Sequence, residues 1–456
     1  MRLQIFCRGA VSLLLLYVAL VVALLWPRQA AADFLAVNSH QATLELRARV
    51  HWVGSIDRPE AEVLELVHRQ MRLSIGPLRR MKYSASWSPI LDVEWHDRGA
   101  EGERAWAEYT LRSQVLSHNQ NAKALELVWV NEPERAERHA FWSCRRRFWD
   151  FPTWYHWTPR RSGCSLREGR DFQRLSAELK ALGPAPERSH ASAMMAPPYQ
   201  NLVQNGKIHV TAIFGHERWL STLSSRDLGR DQYAQFREYL LREGYQLQRL
   251  SDAEIQKRWG RHWGPQPRAE LARFVPPRGA TFGASLGATF GASLGGAPRA
   301  EIEVELLSVP TQMFSPGSGY FVEALARAWE KSSVILYAGH AGLGLNIDPE
   351  WLAIRRGRQI ETSTRAQLVH LATCLTYTHL GDRIWGLKTD AESALHVIGY
   401  AGGETPFRSM ASELHNTLAA LREWVIGKRH PTYAEILERA AAEPHLMHVL
   451  TAPSLR

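Results

Sequence analysis

At 456 residues, with 45% hydrophobic and 22% charged side chains, the chain has a globular composition and enough length for two or three domains, each with its own core. The net charge of +9 falls to +6 once Arg2, Arg8 and Arg28 of the first segment are removed, and it is spread along the chain. That balance suits solubility and weak attraction to anionic surfaces, and it excludes the concentrated basic footprint of a nucleic-acid binder.

Residues 1–32 read as a secretory signal. Arg2 and Arg8 form the positive end, Val11 to Trp26 the apolar core, and Pro27 breaks it. Ala30, Ala31 and Ala32 offer small residues for cleavage before Asp33. The apolar run lies between signal and spanning length, so a retained anchor is the competing reading. The Ala-x-Ala pattern favours cleavage, which makes the protein exported and limits membrane contact to an uncleaved segment. Of four cysteines, Cys7 leaves with the signal. The simplest pairing in an oxidising compartment is Cys144 with Cys164, leaving Cys374 as a free thiol.

Residues 33–175 read as a small α+β domain. Leu44 to Val53 alternates like a half-buried strand, Glu60 to Leu73 is amphipathic at helical spacing, and Ile90 to Trp95, Trp106 to Leu116 and Ala124 to Val130 read as further strands. The domain ends in an aromatic and basic stretch from Phe141 to Trp157, flanked by Cys144 and Cys164. Interleaved aromatics and arginines can stack on bases or sugars. The preferred reading is a disulfide-closed lobe whose tryptophans pack inward, because exposed aromatic patches of this size are uncommon. Glu168 to Leu182 is expected to be helical, and residues 176–205 to contain a linker rich in Pro, Ala, Ser and Met.

Residues 206–456 alternate strands with helices. Lys207 to Phe214, Glu301 to Val309, Val334 to Ala338, Leu368 to Thr373 and Leu395 to Tyr400 read as strands. Helices are expected over Arg230 to Glu243, Tyr320 to Trp329, Gly381 to Leu387, Phe407 to Ile426 and Tyr433 to Ala442. This order gives an α/β domain whose mostly parallel sheet is flanked by helices. An octapeptide, Gly279 to Leu286, recurs at once as Gly287 to Leu294. It lacks the Lys-Ser/Thr ending of a phosphate-binding loop, and residues 274–299 read as a surface insertion.

Two of these strands end in chemistry. Val334 to Ala338 stops at Gly339-His340-Ala341-Gly342, and Leu368 to Thr373 stops at Cys374. Ligands of parallel sheets bind beyond the carboxyl ends of the strands. A histidine there accepts the proton of a thiol, and a thiolate is the competent nucleophile. Backbone amides near Ala341 and Gly342 are candidates to hold a developing oxyanion. A strand ending in His beside Gly, followed by a strand ending in a small residue and Cys, resembles the caspase–gingipain–legumain superfamily of cysteine peptidases. The likeness covers the last half of the chain and is strongest from Val334 to Tyr377. It implies a caspase-like fold, Cys374 as nucleophile, His340 as acid/base, a protein or peptide substrate and no cofactor. The chain departs from the usual pattern at Ala341, where Gly is normal, and at Thr373, where Ala is commoner. In the similar peptidases later loops build the substrate pocket, which points to Asp382 and Glu404; each also reads as an ordinary solvated or helix-starting acid. The alternative function is a catalytically silent caspase-like module that binds a partner. No metal is expected: His370 and Cys374 are about 13 Å apart along an extended strand, too far to share an ion, though His379 with His340 and Cys374 stays open.

Overall fold

The computed structural model describes residues 33–36, 40–80, 85–87, 92–117, 123–139, 143–144, 157–159, 162–181, 196–216, 228–276, 300–311, 317–341, 346–373, 376, 395–400, 409–440 and 447–451. They form two sheets flanked by helices, a mixed α/β architecture.

The chain opens with β1 (Asp33–Ala36), which pairs antiparallel with the last strand, β15 (Met447–Thr451), at one edge of the larger sheet. The boundary expected at residue 33 therefore falls differently: the first four described residues belong to the sheet of the second unit. The chain then crosses to the smaller sheet. This is built from β2 (His40–Val53), helix α1 (Glu60–Arg80), β3 (Ala85–Trp87), β4 (Asp92–Glu101), β5 (Arg104–Ser117), β6 (Ala124–Val130), helix α2 (Pro133–His139) and β7 (Phe172–Ala181). All its pairs are antiparallel, in the order β3-β5-β2-β7-β6, with β4 added on β5. Helix α1 covers one face, and its buried Gln70 ties the layers together. The Gln70 amide donates to the Arg49 and Val130 carbonyls, while the Tyr109 hydroxyl donates to its oxygen and the Trp129 indole donates to Tyr109. Every polar atom of this buried chain has a partner, which is what makes such a network tolerable in a core.

Strand β7 replaces the helix expected over Glu168 to Leu182. Phe172, Leu175, Leu179 and Leu182 fit helical spacing, but Ala177 and Leu179 are buried while Ser176, Glu178 and Lys180 are exposed, a period of two. Pairing with both β2 and β6 decides between the two patterns. The strand also runs into the stretch expected to be linker. Further along that stretch a 3-10 turn, Tyr199–Leu202, buries Tyr199 and Leu202 in the second unit, so its end is docked.

The larger sheet takes β8 (Lys207–His216), helix α3 (Leu228–Arg242), β9 (Gln246–Arg249), helix α4 (Asp252–Trp259), β10 (Arg268–Phe274), β11 (Glu301–Pro310), helix α5 (Ser318–Lys331) and β12 (Val334–Ala338). Helix α6 (Pro349–Arg356), β13 (Gln367–Ala372), β14 (Leu395–Tyr400), helix α7 (Met410–Val425) and helix α8 (Tyr433–Ala440) follow. The order is β1-β15-β14-β13-β12-β8-β11-β10-β9. The central five strands, β14-β13-β12-β8-β11, are parallel; the two strands at each edge are antiparallel. The parallel pairing expected for most of the sheet is found at its centre, and its edges are antiparallel. Strands β12, β13 and β14 are buried at every position, as a sheet covered on both faces requires. Helices α3, α7 and α8 pack on one face with Val210, Ala338 and Ala372. Helices α4, α5 and α6 pack on the other with Tyr337, Ala341 and Leu371.

The expected insertion at 274–299, apart from residues 274–276, and the helix expected over Gly381 to Leu387 lie outside the described residues. Cys144 and Cys164 form a disulfide with their Cα atoms 4.3 Å apart. It closes a small core with Trp157, whose indole N–H donates to the Leu73 carbonyl. That is the inward packing expected for Trp157; residues 145–156 of the lobe lie outside the described residues. Replacing both cysteines by serine is expected to lower stability by about 3 kcal/mol through the freed loop, read as an earlier midpoint in denaturant.

Candidate functional site

The site is built at the carboxyl edge of three parallel strands. Ala338 of β12 is paired with Ala372 of β13 on one side and with Phe214 of β8 on the other. The Gly339 amide still donates to the Ala372 carbonyl, at 3.4 Å, so strand contact persists one residue past β12. His340 comes next and is half-buried. Along this edge Tyr337 and Ala341 pack on the α5 face and Ala338 on the α7 face.

The His340 backbone is held firmly. Its carbonyl accepts from the Tyr337 hydroxyl at 2.8 Å and from Asn346 Nδ2 at 3.0 Å. The Asn346 amide donates to the Ala341 carbonyl, and Arg355 Nη1 donates to Asn346 Oδ1 at 3.1 Å. Burial pushes the Arg355 guanidinium down, with the nearby Tyr337 hydroxyl acting the other way. Gly339 is required by this packing, since a β-carbon there would stand 2.7 Å from the Tyr337 hydroxyl oxygen. Tyr337→Phe deletes one of two bonds to the His340 carbonyl and is expected to cost about 1 kcal/mol in a denaturant titration.

Of the residues singled out in the sequence, Ala341 is 4% exposed and sends its methyl into the core beside α5 and α6. Thr373, one residue before Cys374, is fully buried and bonds through its hydroxyl to that of Thr376 at 3.0 Å. Cys374, Gly342, Asp382 and Glu404 lie outside the described residues. His370 faces α7: its Nδ1 pairs with the Thr417 hydroxyl at 2.8 Å, and burial pushes its ring down to about 3, so it is neutral. Among the described residues no group of three or more His, Cys, Asp or Glu side chains is arranged to hold a metal.

Two residues of this edge escaped the sequence reading. His216 ends β8, two residues beyond Phe214, and is buried. The strand was expected to stop before it, at Gly215. Glu413 lies in the first turns of α7, fully buried, with Ser409 Oγ donating to its Oε1 at 2.7 Å. Burial pushes its carboxyl up to about 7, against the Ser409 bond, which pulls it down. An acid inside an amphipathic helix reads as a solvent-facing residue, and only the three-dimensional packing reverses that.

Compared with protein-family models, with curated proteins and with solved structures, the chain matches none. Among the described residues no helix is long and apolar enough to cross a membrane.

Proposed function

We propose that this chain is an exported, caspase-like cysteine endopeptidase. The observation that carries the reading is the register Ala338–Ala372 in a parallel pair. In sequence His340 and Cys374 each follow two residues after that pair, at the sheet edge where α/β proteins bind ligands. The disulfide Cys144–Cys164 adds support, because it consumes the other two cysteines beyond the signal and suits an oxidising compartment.

In this reading the Cys374 thiol gives its proton to His340 and the thiolate attacks the scissile carbonyl. The tetrahedral oxyanion is held by the backbone amides of Ala341 and Gly342, which follow a His340 carbonyl fixed by the Tyr337 and Asn346 bonds. Collapse expels the amine, which takes the proton back from His340 and leaves a thioacyl on Cys374. Water, deprotonated by His340, then cleaves the thioester and restores the thiol. Asp382 and Glu404 are the acids available to select a basic side chain before the scissile bond.

A second reading is favoured by Ala341. It stands where the similar peptidases carry glycine, a departure that a silent binding module need not avoid. Incubation with a broad peptide library separates the two. An endopeptidase yields new amine termini that disappear with Cys374→Ser; no cleavage under reducing conditions, with partner capture unchanged by Cys374→Ser, supports the binding module instead.

A further inference from the structure

Helix α1 covers one face of the smaller sheet. Alternation along β2 sends Ala48, Val50 and Trp52 into the core beneath it and leaves Arg47, Arg49 and His51 on the opposite face. On that face the sheet is split. Strands β2 and β7 pair over Ala42–Glu45 and Glu178–Ala181 and then part. From there β7 follows β6 as far as Phe172, and β2 follows β5 as far as Val53. The split closes where the His51 amide donates to the Asn131 carbonyl at 2.9 Å. Gln70 bridges it from the helix side, bonding the Arg49 and Val130 carbonyls. Above the split lies a cleft of about 720 Å³, within the size range of ligand sites.

The charges in this cleft do not balance. Arg47, Arg49, Arg104 and Arg170 line it together with Glu108 and Glu132. Glu108 is shared, since Arg47 and Arg49 both bond it, through Nε at 2.6 and 3.0 Å. Arg104 reaches Glu132 at 3.2 Å, and Arg170 turns to Asp171, which also serves Arg135. Four guanidiniums therefore face two carboxylates in the lining, and counting Asp171 with Arg135 leaves the same surplus of two positive charges. The two kinds of group also lie at different depths. The side chains of Glu108 and Glu132 are 14–15% exposed, and those of the four arginines 47–69%. The acids hold the arginines in place from below while solvent still reaches the guanidiniums. Arg49 is fixed further by the Trp106 ring, whose centroid is 4.4 Å from its guanidinium carbon. Burial pushes the His51 ring below its ordinary value, with Glu132 acting the other way, so the ring is neutral at pH 7 and the surplus belongs to the arginines.

We propose that this cleft binds an acidic peptide segment, two of whose carboxylates engage the exposed arginines. A planar guanidinium fork matches a carboxylate bidentately, and a cleft lined by an excess of one charge concentrates the opposite one. Arginines already held in place lose little freedom on binding. Between the charges the lining is Leu175 with the Asn131 and Gln173 amides, which bond each other at 3.1 Å. That mixture of apolar and amide surface suits the methylenes and backbone of a peptide better than a bare inorganic anion. The proposal uses no residue of the Cys374–His340 site and stands apart from that reading.

The test is an anisotropy titration of the full chain with rhodamine-labelled hexaglutamate at low ionic strength. Saturable binding is expected, and none with labelled hexaglutamine. Arg47→Ala and Arg170→Ala are each expected to weaken binding about tenfold. Both variants keep the buried acids partnered: Glu108 retains Arg49, and Asp171 retains Arg135 and the Arg167 amide. Arg112→Ala makes the same charge change on the same sheet, where Arg112 pairs with Glu45 and Glu94 outside the cleft. It is expected to leave the affinity unchanged. Equal losses from Arg47→Ala and Arg112→Ala would reduce the binding to diffuse attraction and overturn the proposal. No binding by wild type overturns it as well. Tighter competition by inorganic phosphate or by polygalacturonate than by unlabelled hexaglutamate would assign the cleft to another anion and overturn the peptide.

Discussion

Replacing His340 by alanine is expected to slow cleavage of a peptide substrate about a thousandfold, with binding little changed. The loss combines two steps. Without the ring the thiol of Cys374 stays protonated at neutral pH, and the departing amine lacks its proton donor. Because both steps run through one side chain, Cys374→Ala with His340→Ala is expected to be no worse than Cys374→Ala alone. The change removes only a half-buried ring, and the backbone bonds from Tyr337 and Asn346 to residue 340 survive it. The melting temperature is therefore expected to hold. A matching fall in stability and activity would assign the loss to unfolding.

The largest stability effect is expected at Arg356. Its side chain is 4% exposed at the end of α6 and forms ion pairs with Glu323 and Glu330, one and three turns along α5. Arg356→Ala strands Glu330 and leaves Glu323 only its pair with Arg358, and is expected to cost about 3 kcal/mol. Arg356→Lys keeps the charge but not the planar fork that reaches Glu323 through two nitrogens, so partial recovery is expected. The effect has a pH signature. Burial raises the Glu323 carboxyl, but the Arg356 bonds outweigh it and the net shift is downward. A depressed carboxylate stabilises the fold above its ordinary value and loses that contribution as pH falls through the folded one. Wild type is thus expected to lose stability on acidification below the ordinary carboxylate range, and Arg356→Ala to lose less of it there. Helix α6 also carries Arg355, which braces Asn346 against the His340 carbonyl. Loosening α6 is expected to reach the site by that route.

The parallel centre of the larger sheet was legible because its strands are buried on both faces and read as continuous apolar runs, as Val334 to Ala338 and Leu395 to Tyr400 do. The antiparallel edges were not. Strand β9 is four residues of mostly exposed side chains, Gln246–Arg249, and carries no such signal. Strand β1 is visible only through its partner at the far end of the chain. Strand β7 was misread because its leucines satisfy a period of 3.6 as well as a period of two, and long-range pairing decides that contest. At the candidate site, His340 stands out in sequence as a polar residue following an apolar run beside glycine. The burial of Glu413 was not legible, because nothing local distinguishes a helical glutamate that faces a core from one that faces water. The Cys144–Cys164 bridge needed only counting.

The most direct measurement is labelling of the native protein by a thiol-directed electrophile at neutral pH, with the modified cysteine located by mass spectrometry and the rate compared with His340→Ala. Fast, saturable modification at Cys374, slowed at least tenfold by His340→Ala, is the expected result. Equal rates for wild type and His340→Ala, no faster than for an ordinary thiol, would contradict a Cys374–His340 active site.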